Sequence, residues 1–468
     1  MASRGTQQDT HQTTRPTNAA RTPFQVRGLP GIGSALEFRR NPAKFLNALR
    51  EAHGDVVGFR LGHHQVYLLS HPDAVQHVLG SAVRNYPKAG YDRLEPLIGR
   101  GLLASEGELW RRQRRLMQPS FHRERVASMV ETMSESAGAV LERWRGLARG
   151  RAAGREPVVD VEEEMTRLTL SIVSRTLLGR DVSQEAETVG RSLRFVLWYG
   201  TRQMGRLVHL PAWTPTPKRV RYRRALGALD RVVYSIIDER RAAGEEHGDL
   251  LSMLLAARDE DTGEPMDEKQ LRDEVMTILT AGHETTAKAL TWGLYLMDRH
   301  PGAASRVRAE IAEVLGGRVP GYEDLRRLPY TRMFLEESMR LFTPVWGLAR
   351  HVLEDDVVGG YDIPGGSRVI VSPYATHRHP EFWPDPENFD PSRFGDERSA
   401  GRPAYAYFPF GGGSRRCIGK DFAMAEALVI LSMVAQEFGP TLCADQEVDT
   451  EAIFTLRPRH GLRMRLTA

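Results

Sequence analysis

The chain predicts a mainly α fold with a small β portion, and three observations carry that expectation. Between about residues 105 and 300, apolar residues recur at three- and four-residue spacing almost without a break, the period of helices with one buried face. After residue 350 the texture changes to short strand-like pieces punctuated by Pro and Gly, such as Tyr361-Asp362-Ile363-Pro364-Gly365-Gly366. No internal repeat and no linker interrupts the chain after residue 28, so residues 28–468 read as one large domain.

Taken in order, residues 1–27 are rich in Thr, Gln, Asn, Arg and Ala, lack apolar periodicity and read as a disordered leader. The ordered body is expected to begin at Gly28-Leu29-Pro30-Gly31. Residues 55–70 alternate as two short strands around the turn Gly62-His63-His64. Helical spacing marks 123–145, 160–180, 185–205, 220–243 and 268–298, and a last helix is expected over about 418–437.

Composition excludes several classes. Hydrophobic residues make up 41% and charged residues 26%, the balance of an ordinary globular protein. Two cysteines allow neither a disulfide framework nor a cysteine-rich zinc module. No apolar run reaches the roughly 18 residues of a membrane span, and the start lacks a signal-peptide core, so a cytoplasmic location is expected. The net charge is +4, of which Arg4, Arg15, Arg21 and Arg27 against Asp9 contribute +3. The body is thus nearly neutral, and a nucleic-acid partner is not expected.

Four constellations carry chemistry. In Phe410-Gly411-Gly412-Gly413-Ser414-Arg415-Arg416-Cys417-Ile418-Gly419, a cysteine stands near a helix start behind two arginines, features that favour thiolate. The glycines allow a flat ligand to approach the backbone; taken alone, the cysteine is also readable as a small buried hydrophobe. In Ala281-Gly282-His283-Glu284-Thr285-Thr286, a helix-interior Gly costs about 1 kcal/mol, which either a ligand groove or a helix crossing would offset. Glu284 and Thr285 supply an acid and a hydroxyl for relaying protons. Glu337 and Arg340 form an i,i+3 pair, to which Arg393 of Pro391-Ser392-Arg393-Phe394 is a candidate third member. In Trp110-Arg111-Arg112-Gln113-Arg114-Arg115, i,i+4 spacing puts Trp110 and Arg114 on one face. A dinucleotide loop fails at Arg416, a phosphate loop at Asp421, and a zinc-protease pair at Ala287.

In this order and at these separations, the constellations resemble the cytochrome P-450 superfamily of haem-thiolate monooxygenases. The loop matches that family's Phe-x-x-Gly-x-Arg-x-Cys-x-Gly at Phe410, Gly413, Arg415, Cys417 and Gly419. The mid-helix motif, Glu337-x-x-Arg340 and Trp110-x-x-x-Arg114 match as well, while Ser392 stands where the family often has Glu. The resemblance implies the cytochrome P-450 fold, haem b as cofactor and Cys417 as the axial iron ligand. It implies Glu284 and Thr285 as the residues moving protons for oxygen activation. It also assigns Trp110, Arg114, Arg415 and Arg350, with Phe410 in the loop, to haem binding, and Glu337, Arg340 and Arg393 to a structural network.

The resemblance further implies a substrate pocket lined by Leu94, Leu97, Phe195, Trp198, Met276, Leu279, Val345, Trp346, Leu348, Ile453 and Phe454. An apolar lining favours a lipophilic small molecule. Pro344-Val345-Trp346 resembles terpenoid oxidases, with macrolides and fatty acids as alternatives. O2 is the implied cosubstrate, and NADPH or NADH would act indirectly, through an acidic ferredoxin and its reductase, on a monomer. A peroxide-driven peroxygenase and a non-catalytic haem sensor are the rival readings, and the Glu284-Thr285 pair weighs against both.

Overall fold

In the computed structural model, a helix of 32 residues, Glu268–Arg299, runs through the middle of the molecule. The structure describes residues 20–91, 94–150, 156–182, 185–204, 214, 216–243, 249–258 and 263–467. Asp267 starts the central helix by accepting the Gln270 N–H at 2.7 Å. At 1.5 Å per residue the helix is about 48 Å long. It packs against helices Val161–Leu177, Pro217–Ala243, Pro329–Leu341 and Lys420–Glu437. Its residues are buried from Leu271 to Thr280 and again from Thr286 to Leu294. Between these stretches only His283 is buried; Ala281, Gly282, Glu284 and Thr285 are not fully covered by protein.

Helix Lys420–Glu437 is buried almost all round, packing on one side against the central helix and on another against Arg123–Arg149. Pro301 and Pro329 each open a helix at its first turn, where a missing N–H costs nothing. The principal sheet has the strand order Phe24–Gln25, Val56–Leu61, His64–Leu69, Arg368–Val371, Leu348–His351. The expected hairpin pairs Val56 with Leu69 and Leu61 with His64, its turn tightening to Gly62-His63. Three small sheets complete the β portion.

The expected leader of residues 1–27 is corrected at its end. Phe24–Gln25 pairs in parallel with the strand Val56–Leu61, and the Arg21 N–H donates to the Gly360 carbonyl at 2.9 Å. A two-residue edge strand leaves no periodic trace, which is why composition alone put the boundary too late. Residues 1–19 lie outside the described residues. Among the described residues no helix is long and apolar enough to cross a membrane.

Candidate active site

Cys417 closes a loop held by its own backbone: its N–H donates to the Phe410 carbonyl at 2.9 Å, and that of Gly411 to Phe408 at 2.9 Å. Gly411 and Gly413 have φ of 70° and 62°, the left-handed region that glycine enters without strain. A Cβ on Gly413 would strike the Leu79 carbonyl, and one on Gly412 the Tyr405 ring. Gly412 and Gly413 thus also serve packing of protein on protein. Of the two cysteines, Cys443 is buried and Cys417 exposed. Cys417 is nonetheless surrounded by protein, as a group facing an internal space is. Burial pushes its thiol up, against the opposing effects of the Gly419 N–H, Arg114 and Arg416. The arginines act as the sequence suggests, and burial acts against them.

Beside this loop lies a cluster with more cations than anions. The Arg415 guanidinium pairs closely with Glu106 and stands 5.5 Å from the Trp110 ring centre. Glu106 also accepts the Lys88 N–H at 2.7 Å. The half-buried Lys88 donates from its ammonium to the carbonyls of Leu102 and Ser105, both at 3.0 Å. Burial lowers Lys88 to about 7, with Arg415 and Arg350 adding to the fall and Glu106 opposing it. Arg350 is buried beside them; its Nη1 donates to the Ala349 carbonyl at 2.8 Å, and its Nε has no partner. Arg114 completes the edge, donating from Nη1 to the Arg416 carbonyl at 2.8 Å. Trp110, Arg114, Arg350, Arg415 and Cys417 are thus gathered in one region, with Lys88 and Glu106 added to them.

Glu337, Arg340 and Arg393 also meet. Arg340 donates from Nε and Nη2 to the two oxygens of Glu337 at 2.7 and 2.8 Å, and Arg393 Nε stands 3.4 Å from Glu337 Oε1. The remaining Arg340 donors reach the carbonyls of His377, Pro386 and Asn388.

On the central helix, Gly282 lies at a helix crossing: a Cβ there would come 2.9 Å from Val173 Cγ2. A helix crossing therefore accounts for the missing side chain at Gly282. The Thr285 hydroxyl donates to the Ala281 carbonyl at 2.8 Å. Glu284 accepts from the Thr455 hydroxyl at 2.9 Å and lies 3.5 Å from the Lys288 ammonium.

The expected pocket residues divide among several places. Leu94, Leu97, Met276 and Leu279 belong to the main core, with Phe454 packed against it. Phe195 lies under Arg221 and Trp198 under Lys218, both cations coming from Pro217–Ala243. Trp346 packs beside the principal sheet, edge-on to Phe38, and donates to the Ile453 carbonyl at 3.0 Å. Leu348 pairs with Val371 in that sheet, and the Val345 carbonyl accepts from the Thr343 hydroxyl at 3.2 Å. Core and pocket lining share one composition, so apolar sequence alone does not separate them.

Sequence reasoning missed Lys88, Glu106, Lys288, Glu162 and Thr455. One signal was available: only six lysines stand among 58 arginines. Where Arg supplies nearly every surface cation, a retained Lys marks a place suited to a compact charge of adjustable pKa. Two of the six, Lys88 and Lys288, lie in these clusters.

The implied haem fits this residue set. A partly open cysteine with a backbone N–H at its sulfur suits a metal, which would draw the proton from a thiol raised by burial. Three cations, Lys88, Arg350 and Arg415, gather around Glu106, and the partnerless Nε of the buried Arg350 suits an added carboxylate such as a propionate. Known proteins agree. A cyclooctatin synthase of Streptomyces melanosporofaciens is 41% identical, covering 87% of this chain and 87% of its own. A cyclooctat-9-en-7-ol 5-monooxygenase of the same organism is 36% identical over 91% of this chain and 90% of its own. The solved haem domain of cytochrome P450DA superposes with a TM-score of 0.85 at 27% identity, over 96% of this chain and 98% of that one. The family model described as Cytochrome P450 matches residues 23–462, and with these relatives and this site the chain belongs to the cytochrome P450 family of haem monooxygenases.

Proposed function

We propose that this P450 inserts one oxygen atom from O2 into a lipophilic small molecule of terpenoid type. Electrons come from NADPH or NADH through a ferredoxin reductase and an acidic ferredoxin. The observation that carries the reading is an open Cys417 next to buried positive charge that Glu106 only partly balances. Haem b, when bound, supplies oxygen activation through its thiolate-ligated iron. Cys417 would hold that iron, with the Gly419 N–H at its sulfur. Arg350, Lys88, Arg415, Trp110 and Arg114 would hold the propionates, a task suited to guanidinium donors.

Glu284 and Thr285 move protons on the stretch of the central helix that protein leaves partly uncovered. The Thr285 hydroxyl is held in place by its bond to Ala281, and Glu284 by Thr455 and Lys288. The choice of a terpenoid is supported by the names of the relatives, one of which oxygenates an alkenol at carbon 5. The ferredoxin would meet the outer face of helix Gly107–Met117, where Arg111 and Arg115 are exposed, together with the exposed Arg416 and Lys420.

Cys417→Ser should lose the red-shifted, thiolate-type Soret band of the reduced carbon-monoxide complex, while Cys443→Ser should keep it. A thiolate spectrum in the Cys417 variant overturns the ligand. Turnover of a terpene with ferredoxin, reductase and NADPH but not with peroxide is expected; peroxide-only turnover would favour the peroxygenase.

A further inference from the structure

Lys288 is buried in the central helix, one turn after Glu284, where an unpaired ammonium would be costly. It is paired twice: Nζ lies 2.9 Å from Glu162 Oε1 and 3.5 Å from Glu284 Oε1. The Thr166 hydroxyl is a further 3.5 Å neighbour. Glu162 stands in the first turn of Val161–Leu177, so one cation and two carboxylates join two helices. Other groups face Glu284 as well. The Thr455 hydroxyl donates to the same oxygen, Arg457 adds positive charge, and His283 Nε2 is 3.8 Å from Oε2. His283 Nδ1 is bonded to the Leu279 carbonyl, which only accepts, so the ring proton sits on Nδ1. Burial lowers the His283 pKa, with Glu284 and the Leu279 carbonyl opposing the fall.

We infer that Lys288, anchored by Glu162, is a positioning residue that keeps the Glu284 carboxylate ionised and fixed between proton transfers. The inference rests on the proposed proton-handling role of Glu284. Burial alone would raise Glu284, yet Lys288 above all, with the Thr455 hydroxyl beside it, holds it well below the usual carboxylate range. At neutral pH such a carboxylate stores no proton; it takes one only as it loosens from Lys288. The Lys288 contact therefore sets how readily Glu284 passes protons, and Glu162 limits the strength of that contact by sharing the cation. Without Lys288, burial dominates and Glu284 becomes a stored acid.

The test is infrared titration of the carboxyl stretch on the haem-loaded protein, read beside product formed per NADPH across pH. Lys288→Met should add one protonated carboxyl at neutral pH, an upward shift of about five pH units for Glu284. Its product per NADPH should acquire a pH dependence that wild type lacks. Lys288→Arg, which keeps a cation, should add no band. The charge-balanced pair Lys288→Met/Glu162→Gln keeps the test available if the single variant does not accumulate. It should show the same band, which then cannot come from Glu162. The inference is overturned if neither variant gains the band, or if the band of Lys288→Met is absent from the balanced pair. Glu284→Gln separates the two layers: unchanged product per NADPH there overturns the proton-handling reading itself, whatever the infrared bands show.

Discussion

Two buried charge clusters lie in this molecule, and they are built in opposite ways. Around Glu337 the groups answer one another: both side chains of the Glu337–Arg340 pair are fully buried, and every Arg340 donor has a protein acceptor. Around Glu106, the three cations Lys88, Arg350 and Arg415 share that carboxylate and the field of Glu274, and Arg350 Nε has nothing to bond. The first cluster leaves only Arg393 Nε short of a hydrogen bond, 3.4 Å from Glu337 Oε1, and holds together the helix Pro329–Leu341 and the backbone of 384–390. The second becomes complete only when something anionic enters. What separates the two is that Arg393 Nε faces a carboxylate, whereas Arg350 Nε faces no acceptor, and a buried cation left that way suits an added anion.

The largest expected effect breaks the balanced cluster. Glu337→Ala leaves Arg340 buried without a counter-charge and should cost about 3–5 kcal/mol. Soluble, folded protein should be nearly lost, with and without added haem. If Glu337→Ala unfolds in denaturant at the wild-type midpoint, the contrast between the clusters collapses.

The unbalanced cluster should show itself in the pH dependence of the haem-free protein. Burial raises Glu274 to about 7, although the Leu102 N–H and Gln270 oppose the rise, and burial lowers Lys88 to about 7. Each group lies in the other's field. Between about pH 4.5 and 7 the folded state keeps the Glu274 proton that the unfolded state has lost, so stability falls as pH rises. Between about 7 and 10.5 the unfolded state holds the Lys88 proton that the folded state has lost, so stability rises with pH. A minimum near neutral pH is expected, on the order of 3 kcal/mol deep. Lys88→Met should remove the basic limb and Glu274→Gln the acidic one. Haem should erase the basic limb, because a propionate beside Lys88 keeps its ammonium charged. Equal limbs with and without haem would place the anion elsewhere.

Arg350→Met sharpens the contrast further. Removing a buried cation with an unbonded Nε should leave the haem-free protein as stable or more so. Losing one charge-assisted contact of roughly 1.5–3 kcal/mol should speed haem loss about 10- to 100-fold. Transfer of haem to an apo-globin acceptor measures this directly. A variant that unfolds early yet retains haem would make Arg350 part of the structural class.

Much of this was legible in the sequence, for identifiable reasons. The central helix showed because amphipathic spacing over 268–298 is long, and the hairpin because alternation over 55–70 is strict. Trp110, Arg114, Arg415 and Cys417 fall together because local spacing fixes which residues share a helix face or a loop. The partners were not legible where contacts join distant segments: Glu106 meets Arg415 across 309 residues, and Thr455 meets Glu284 across 171. Gly282 was ambiguous because a ligand and Val173 would ask for the same missing side chain. Around Cys417 the sequence displays the neighbouring charges but not the burial that works against them.

The smallest effect concerns charges that water can reach. Helix Gly107–Met117 turns Trp110 and Arg114 toward the unbalanced cluster and leaves Arg111 and Arg115 exposed on its other side, with Arg112 half-buried. Arg111 pairs with Glu108, a surface contact of little weight for stability. These charges should therefore matter to encounter rather than to folding. Electron-transfer contacts are small and brief, and complementary charge acts mainly on their association rate. Reversing Arg112 and Arg115 to Glu should slow reduction by an acidic ferredoxin about tenfold at low salt. Raising ionic strength should slow the wild type toward the variant, since the Debye length falls to about 8 Å at physiological salt. Reduction by dithionite should be equal in both, because it needs no docking, and denaturation midpoints should coincide. If the variant is reduced by ferredoxin at the wild-type rate in low salt, this face is not where the electron donor binds.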